Sequence, residues 1–183
     1  MNATQGAAIG GTAIRRLAAR PALRFVSLAL LSSAVLAASA QVSLPMWPVP
    51  ATLQTLAVLL IGALGGSRLG AATVLLYLAE GAMGLPVFAA GLGGPAVLAG
   101  PTAGFLLGFV ASAGIAGRAG QGALRQALVL TAAHLAVFVP GVLWLSGFVG
   151  MERAFMAGFV LFVPGTAVKT ALAFATLRAL RRG

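Results

Sequence analysis

The sequence of 183 residues contains no cysteine, and its acidic residues number only two, Glu80 and Glu152, beside a single histidine. Without a thiol, the chain has no disulfide framework, no thiol nucleophile and no thiolate metal site. With so few carboxylates and imidazoles, neither an ordinary metal cluster nor a catalytic pair of carboxylates can be built. We therefore expect no metal, no cofactor and no enzymatic activity.

Charge is also scarce, at 8% of residues, whereas 60% are hydrophobic and the mean hydropathy is +1.04. Soluble domains carry about 25% charged residues. This composition predicts an integral membrane protein in contact with the lipid bilayer. The net charge of +10 comes mainly from arginines that flank apolar segments. No basic stripe is interleaved with aromatic residues, so we expect no nucleic-acid partner.

Six apolar segments follow a small, polar and then basic stretch. We expect residues 1–19 to form a flexible cytoplasmic tail and residues 20–183 to form one all-α domain of six transmembrane helices. A span needs about 20 residues, and because the second and third segments are shorter, we predict a tight pair joined at residues 65–68. The segments are 22–43, 52–65, 69–83, 101–117, 124–147 and 153–177.

The arginines predict the orientation. If both termini are cytoplasmic, ten of the twelve basic residues fall on the cytoplasmic side, as the positive-inside rule requires. Arg153 is then outside and Lys169 lies within the membrane. The first segment also resembles a secretory signal peptide, but its spanning length and the five spans after it favour a retained helix. We expect a multi-pass protein of the cell (inner, cytoplasmic) membrane.

The motif FVPG occurs twice, at residues 138–141 and 162–165. Proline removes an amide donor from a helix, and irregular backbone within a membrane is tolerated where it faces protein or a wet cavity. Counted from the cytoplasmic arginines, both motifs lie at a similar depth in the outer half. They indicate either two packing kinks or a cavity that opens outward. An apolar, glycine-rich outer loop at 84–101 is either a lid over that cavity or a segment lying among the lipid headgroups.

Lys169, the one lysine, follows the second motif by a single helical turn, near the middle of the membrane. A lysine at that depth costs several kcal/mol unless it is paired. Three explanations remain: the side chain extends to the headgroups, it pairs with Glu80, or it binds an anionic ligand that enters from outside. His134, also within a span, is expected to be neutral, with its imidazole hydrogen-bonded to a neighbouring carbonyl; a role in proton relay is the alternative.

Stripes of small residues allow transmembrane helices to pack closely. The fourth segment has such a stripe at 100, 104, 108, 112 and 116, for which internal packing is expected. The first segment has a second stripe, either internal or facing a partner protein. Its two alternative faces are Ala29, Ser33 and Ala37, or Ala34 and Ala38.

Residues 48–109 carry the motifs PVPATLQTLAVLL, GLPVFA and GPTAGFLLGF, and residues 162–169 read FVPGTAVK. In these motifs the chain closely resembles the BioY family, the biotin-specific substrate-binding (S) subunits of energy-coupling-factor (ECF) transporters, over about residues 22–180. The resemblance implies a six-helix S-subunit fold, biotin as the transported ligand, the membrane subunit EcfT and two cytoplasmic ATPases as partners. Uptake without a dedicated module, and a homo-oligomer, remain open.

The resemblance also implies that Lys169 meets the biotin carboxylate and that the small-residue face of the first helix meets EcfT. The family usually has an acid three residues before this lysine, in contact with the ureido ring, whereas this chain has Thr166. A related S subunit for another carboxylated vitamin, or a proton-coupled carrier, is the alternative. The expected substrate-binding residues are Lys169, Thr166, Thr52, Gln54, Tyr77, Phe88, Trp47 and Leu85.

Overall fold

The structure is a computed structural model and describes residues 21–181. The predicted tail at 1–19 lies outside these residues. The helices are α1 (Pro21–Gln41), α2 (Gln54–Ala82), α3 (Pro95–Ala99), α4 (Ala103–Ala116), α5 (Ala123–Ala136), α6 (Phe138–Val149), α7 (Met151–Gly158) and α8 (Val163–Leu180). Two short antiparallel strands, β1 (Ser43–Leu44) and β2 (Ala51–Thr52), and two 3₁₀ turns, Ala89–Gly91 and Val160–Phe162, complete the elements.

The helices form six membrane-spanning units, which confirms the predicted number. Four helical stretches are long and apolar enough to cross a membrane: Pro21–Gln41, Gln54–Ala82, Ala123–Val149 and Met151–Leu180. Within α2, Gly66 has φ 81° and ψ 165°, which breaks the helix. A Cβ added at Gly70 would lie 2.9 Å from the Cα of Gly62, although eight residues of straight helix span about 12 Å. The chain therefore turns back at Gly66, and the two halves of α2 and the shorter α4 complete the six.

Small residues hold the central helices together. A Cβ added at Gly62 would meet the carbonyl oxygen of Ala113 at 2.4 Å, and one added at Gly104 would meet that of Pro140 at 2.4 Å. Such close approach of backbones is how membrane helices gain packing contacts where lipid offers no hydrophobic driving force. The stripe of α4, as expected, packs inside the protein, and its Ser112 is buried as well.

Each FVPG motif begins a new helix just after an interruption. The α-helical hydrogen bonding is interrupted at Val137, whose backbone dihedrals stay helical (φ −62°, ψ −37°), and α6 begins at Phe138. Phe159 has φ −130° and ψ −61°, and α8 begins at Val163 after a 3₁₀ turn. Proline in a first turn is tolerated because the amide it lacks would have no intrahelical partner there. The ring centroids of Phe138 and Phe162 are 6.2 Å apart, so the two interruptions lie at one level, as predicted.

Hydrogen bonds between loops join several elements at the arginine-rich end of the molecule. The Arg181 guanidinium donates to the carbonyl of Gly120 and, at 3.1 Å, to that of Ala63. The Ser67 hydroxyl donates to the carbonyl of Gly114 at 2.7 Å. The turn within α2, the α4–α5 loop and the end of α8 thus share one end of the molecule, where the described arginines concentrate. Five of the seven arginines among residues 21–181 lie in or beside these elements: Arg68, Arg118, Arg125, Arg178 and Arg181.

Candidate functional site

A cavity of about 510 Å³ lies between the β1–β2 hairpin, the 84–101 loop and the interrupted ends of α6 and α8. Its volume is within the ~300–1,000 Å³ of small-molecule sites. The walls are mostly apolar, with Phe88, Phe105, Phe109, Phe138 and Phe162 among them. The polar lining side chains are Ser43, Thr52, Gln54, Thr55, Thr102, His134, Thr166 and Lys169. Among the described residues that line it, none is acidic.

The Lys169 ammonium lies at this cavity and donates to the carbonyl oxygen of Thr52 at 3.0 Å. Within residues 21–181, this is the only hydrogen-bond acceptor that the protein gives the ammonium. Glu80 is engaged elsewhere, because its carboxylate accepts a hydrogen bond from Ser33. An ammonium has three N–H donors, so two remain for a ligand. Of the three explanations for a lysine at this depth, the geometry favours an anionic ligand over extension to the headgroups or pairing with Glu80.

A chain of hydrogen bonds runs from this lysine to the 84–101 loop. The Thr52 hydroxyl donates to Oε1 of Gln54 at 3.0 Å, and Nε2 of Gln54 donates to the Tyr77 oxygen at 2.7 Å. The Tyr77 hydroxyl in turn donates to the carbonyl of Val87 at 3.1 Å. Because each polar atom has a defined role, the network fixes the orientation of the Gln54 amide and ties the loop to the floor of the cavity.

The 84–101 loop covers the cavity and is held at several points. The Phe88 ring packs on Gly81, where an added Cβ would lie 2.0 Å from the ring, and it meets Tyr77 edge-on at 5.4 Å between centroids. Gln41, at the end of α1, donates to the Phe88 carbonyl at 3.1 Å and accepts from the Gly91 amide at 3.0 Å. This placement over the cavity supports a lid rather than a segment among the headgroups.

The predicted substrate-binding residues fall into three groups. Five of them line the cavity: Lys169, Thr166, Thr52, Gln54 and Phe88. Tyr77 is completely buried and contacts the cavity through Gln54.

The other two, Trp47 and Leu85, are not among the lining residues. Trp47 is 81% exposed, whereas Pro45 and Pro48 of the same loop line the cavity. Leu85 is 48% exposed at the start of the loop. The structure therefore does not bring these two side chains into the cavity wall.

The site also contains polar side chains that were not among the predicted substrate-binding residues. His134 was expected to bond a carbonyl, but its Nδ1 instead lies 2.7 Å from the hydroxyl Oγ1 of Thr170. Its Nε2, however, is buried without a protein partner, and so is Oγ1 of Thr55; both residues line the cavity. Sequence periodicity could not have identified them, because the choice of facing residues depends on how α5 and α8 cross.

The small-residue stripe of α1 divides between two faces. Ala29 and Ser33 are buried against α2, and Ala37 is partly buried, whereas Ala34 and Ala38 are exposed. A partner protein that approaches through the membrane can therefore contact Ala34 and Ala38 but not Ala29 and Ser33. The face of Ala29, Ser33 and Ala37 serves internal packing.

The fold and site together define a multi-pass membrane protein with a partly open, mostly apolar cavity of ligand size. The structure is similar to the crystal structure of the S-component for biotin from an ECF-type ABC transporter, with a TM-score of 0.80, 22% identity, and coverage of 90% of this chain and 94% of that one. At this identity the likeness establishes the S-component fold.

The BioY family model matches residues 12–183, and the chain belongs to the BioY family. It is 40% identical to the probable biotin transporter BioY of Pyrococcus horikoshii, over 81% of this chain and 90% of the relative. It is 37% identical to the biotin transporter BioY of Thermotoga maritima, over 81% and 89%. It is 36% identical to the biotin transporter BioY2 of Lactococcus lactis, over 85% and 91%.

Proposed function

We propose that this protein captures biotin from the external side of the cytoplasmic membrane and transports it inward as the S subunit of an ECF-type transporter. The observation that carries the proposal is the Lys169 ammonium at the cavity, with one protein acceptor and two free donors among the described contacts. A carboxylate satisfies such a group better than a neutral ligand does, because charge-assisted hydrogen bonds are about twice as strong as neutral ones.

The rest of the cavity fits the other parts of biotin. The molecule has a carboxylate on an aliphatic chain, an apolar thioether ring and a polar ureido ring. Phenylalanine and aliphatic walls suit the apolar middle, and neutral side chains such as Thr52, Thr102 and Thr166 offer donors and acceptors for the ureido group. Thr166 stands at the position where we expect related proteins to have an acidic residue. Its hydrogen bond to a ureido N–H would therefore be neutral rather than charge-assisted.

The proposed transport cycle needs partners. We propose that the S subunit docks on the membrane subunit EcfT, which two cytoplasmic ATPases drive, and that the exposed Ala34 and Ala38 of α1 form part of the contact. Small side chains at these positions let a partner helix approach closely. The 84–101 loop partly covers the cavity, and we propose that release to the cytoplasm requires movement of the loop or reorientation of the subunit.

A competition experiment tests the ligand. The purified protein is loaded with labelled biotin and challenged with unlabelled biotin, lipoate and pantothenate, three vitamins that each carry a carboxylate. We expect biotin to displace the label at far lower concentration than the other two. Preferential binding of lipoate or pantothenate would instead mean that the protein serves another carboxylated vitamin. In cells that lack any other biotin transporter, the protein would then give no biotin uptake.

A further inference from the structure

The strongest unexplained feature of the cavity is the imidazole of His134. The side chain is completely buried, lines the cavity and has no protein partner for its Nε2. A buried polar atom without a hydrogen bond costs about 1–3 kcal/mol, and most such atoms in native proteins are paired. We propose that His134 is a specificity-determining residue of the site, whose Nε2–H binds the same carboxylate as Lys169. The inference rests on the proposed function.

The imidazole is held in place by its surroundings. Nδ1 lies 2.7 Å from Oγ1 of Thr170 on α8, and the ring stacks nearly parallel to Phe138, with 10° between planes and 6.2 Å between centroids. Thr170 follows Lys169 directly in the chain, and both lie within one turn of Thr166, which also lines the cavity. The hydrogen bond thus brings His134 to the level of the lysine.

The hydrogen bonds available to His134 and Thr170 indicate which tautomer the imidazole adopts. If Nδ1–H donated to Thr170, the threonine proton would lack an acceptor among the described side-chain contacts, and Nε2 would be a bare acceptor. If the Thr170 hydroxyl donates to Nδ1, that proton is satisfied and the proton of the neutral imidazole sits on Nε2. The second arrangement leaves one unsatisfied donor, Nε2–H, on a side chain that lines the cavity.

An N–H donor and an ammonium in the same cavity favour an anion. Among the described lining residues none is acidic, so the protein provides no charged acceptor for either group. A carboxylate has two oxygens and can accept from both donors at once. The Thr166 hydroxyl can also donate a hydrogen bond to a ligand. Because this hydroxyl can accept a hydrogen bond as well, it does not discriminate between charged and neutral ligands.

Two conservative variants separate this role from a structural one. His134→Asn keeps a polar atom near Nδ1 for Thr170 but has none at the Nε2 position; His134→Gln places an amide donor near Nε2. Each is titrated calorimetrically with biotin and with biotin methyl ester, which lacks the anion. Unchanged thermal melting and a single gel-filtration peak serve as controls for folding.

We expect His134→Asn to weaken biotin binding about 10- to 100-fold, the range for a lost hydrogen bond to a charged group. The ester should lose less than about threefold, and His134→Gln should recover most of the affinity for biotin. Equal losses for acid and ester, or wild-type affinity of the Asn variant, would overturn the inference. A wild-type protein that does not bind biotin refutes the proposed function instead, and lipoate with its methyl ester then tests His134.

Discussion

Replacing Lys169 with alanine should sharply weaken biotin binding and leave the fold intact. The ammonium makes one hydrogen bond within the described protein, to the carbonyl of Thr52. That oxygen lies at the cavity, where water or the ligand can replace the lost donor. The variant should therefore retain its stability, and Lys169→Met, which preserves much of the apolar stem, should behave in the same way.

The size of the effect follows from the bonds that are lost. Two of the three ammonium donors are free to bind a carboxylate, and each hydrogen bond to a charged group contributes about 1.5–3 kcal/mol. Truncating one member of a buried charge pair costs about 2–5 kcal/mol, because the other charge stays buried and unpaired. This corresponds to a loss of roughly 30-fold to several thousand-fold in affinity.

Calorimetric titration with biotin and biotin methyl ester measures the effect. The wild-type protein should prefer the acid strongly, because the ester has no charge for the lysine to pair with. In Lys169→Ala the preference should fall sharply, to the part that His134 supplies. Unchanged affinity for biotin would remove Lys169 from the site. An equal loss for both ligands would mean that the lysine supports the cavity without touching the carboxylate.

Three further predictions concern the loop and the partner surface. Tyr77→Phe removes the hydroxyl that joins Gln54 to the loop and should speed biotin dissociation, measured by stopped-flow, at a stability cost of about 1–3 kcal/mol. Gly81→Ala should displace the Phe88 ring and lower biotin affinity, whereas Gly147→Ala, with nothing within 4 Å of the added Cβ, should not. Ala34→Phe places a bulky ring on the proposed contact face, so it should abolish co-purification with EcfT and preserve biotin binding. Leu28→Phe is the control: residue 28 lies about 120° around α1 from residue 34, so this variant should preserve both properties.

Much of the fold could be predicted because it follows from composition and from the positions of arginine, glycine and proline along the chain. Apolar length and the positions of the arginines predict six spans, and paired glycines between two short segments predict the turn that the structure places at Gly66. The depth of the FVPG motifs predicts that Phe138 and Phe162 lie close together. These features are local, so they can be read without knowing which helices touch.

The lining of the cavity depends on rotation and crossing of helices, which the sequence does not encode locally. The lysine could be singled out because an unpaired charge within the membrane is costly wherever it points. Trp47 could not be placed correctly, because adjacent residues of a proline-rich loop face opposite ways. His134 was expected to have its hydrogen bonds satisfied, and only the packing of α5 against α8 shows that Thr170 satisfies one nitrogen and leaves the other open.

The position of the carboxylate in a biotin complex tests the central claim most directly. An experimental structure of the loaded protein should place a carboxylate oxygen within about 3.2 Å of Nζ of Lys169, the outer limit of an ordinary N–H···O bond. It should also place the ureido ring away from the lysine, among neutral polar side chains. A ligand bound in the opposite sense, with its carboxylate at the rim and its ureido ring against Lys169, would contradict the account.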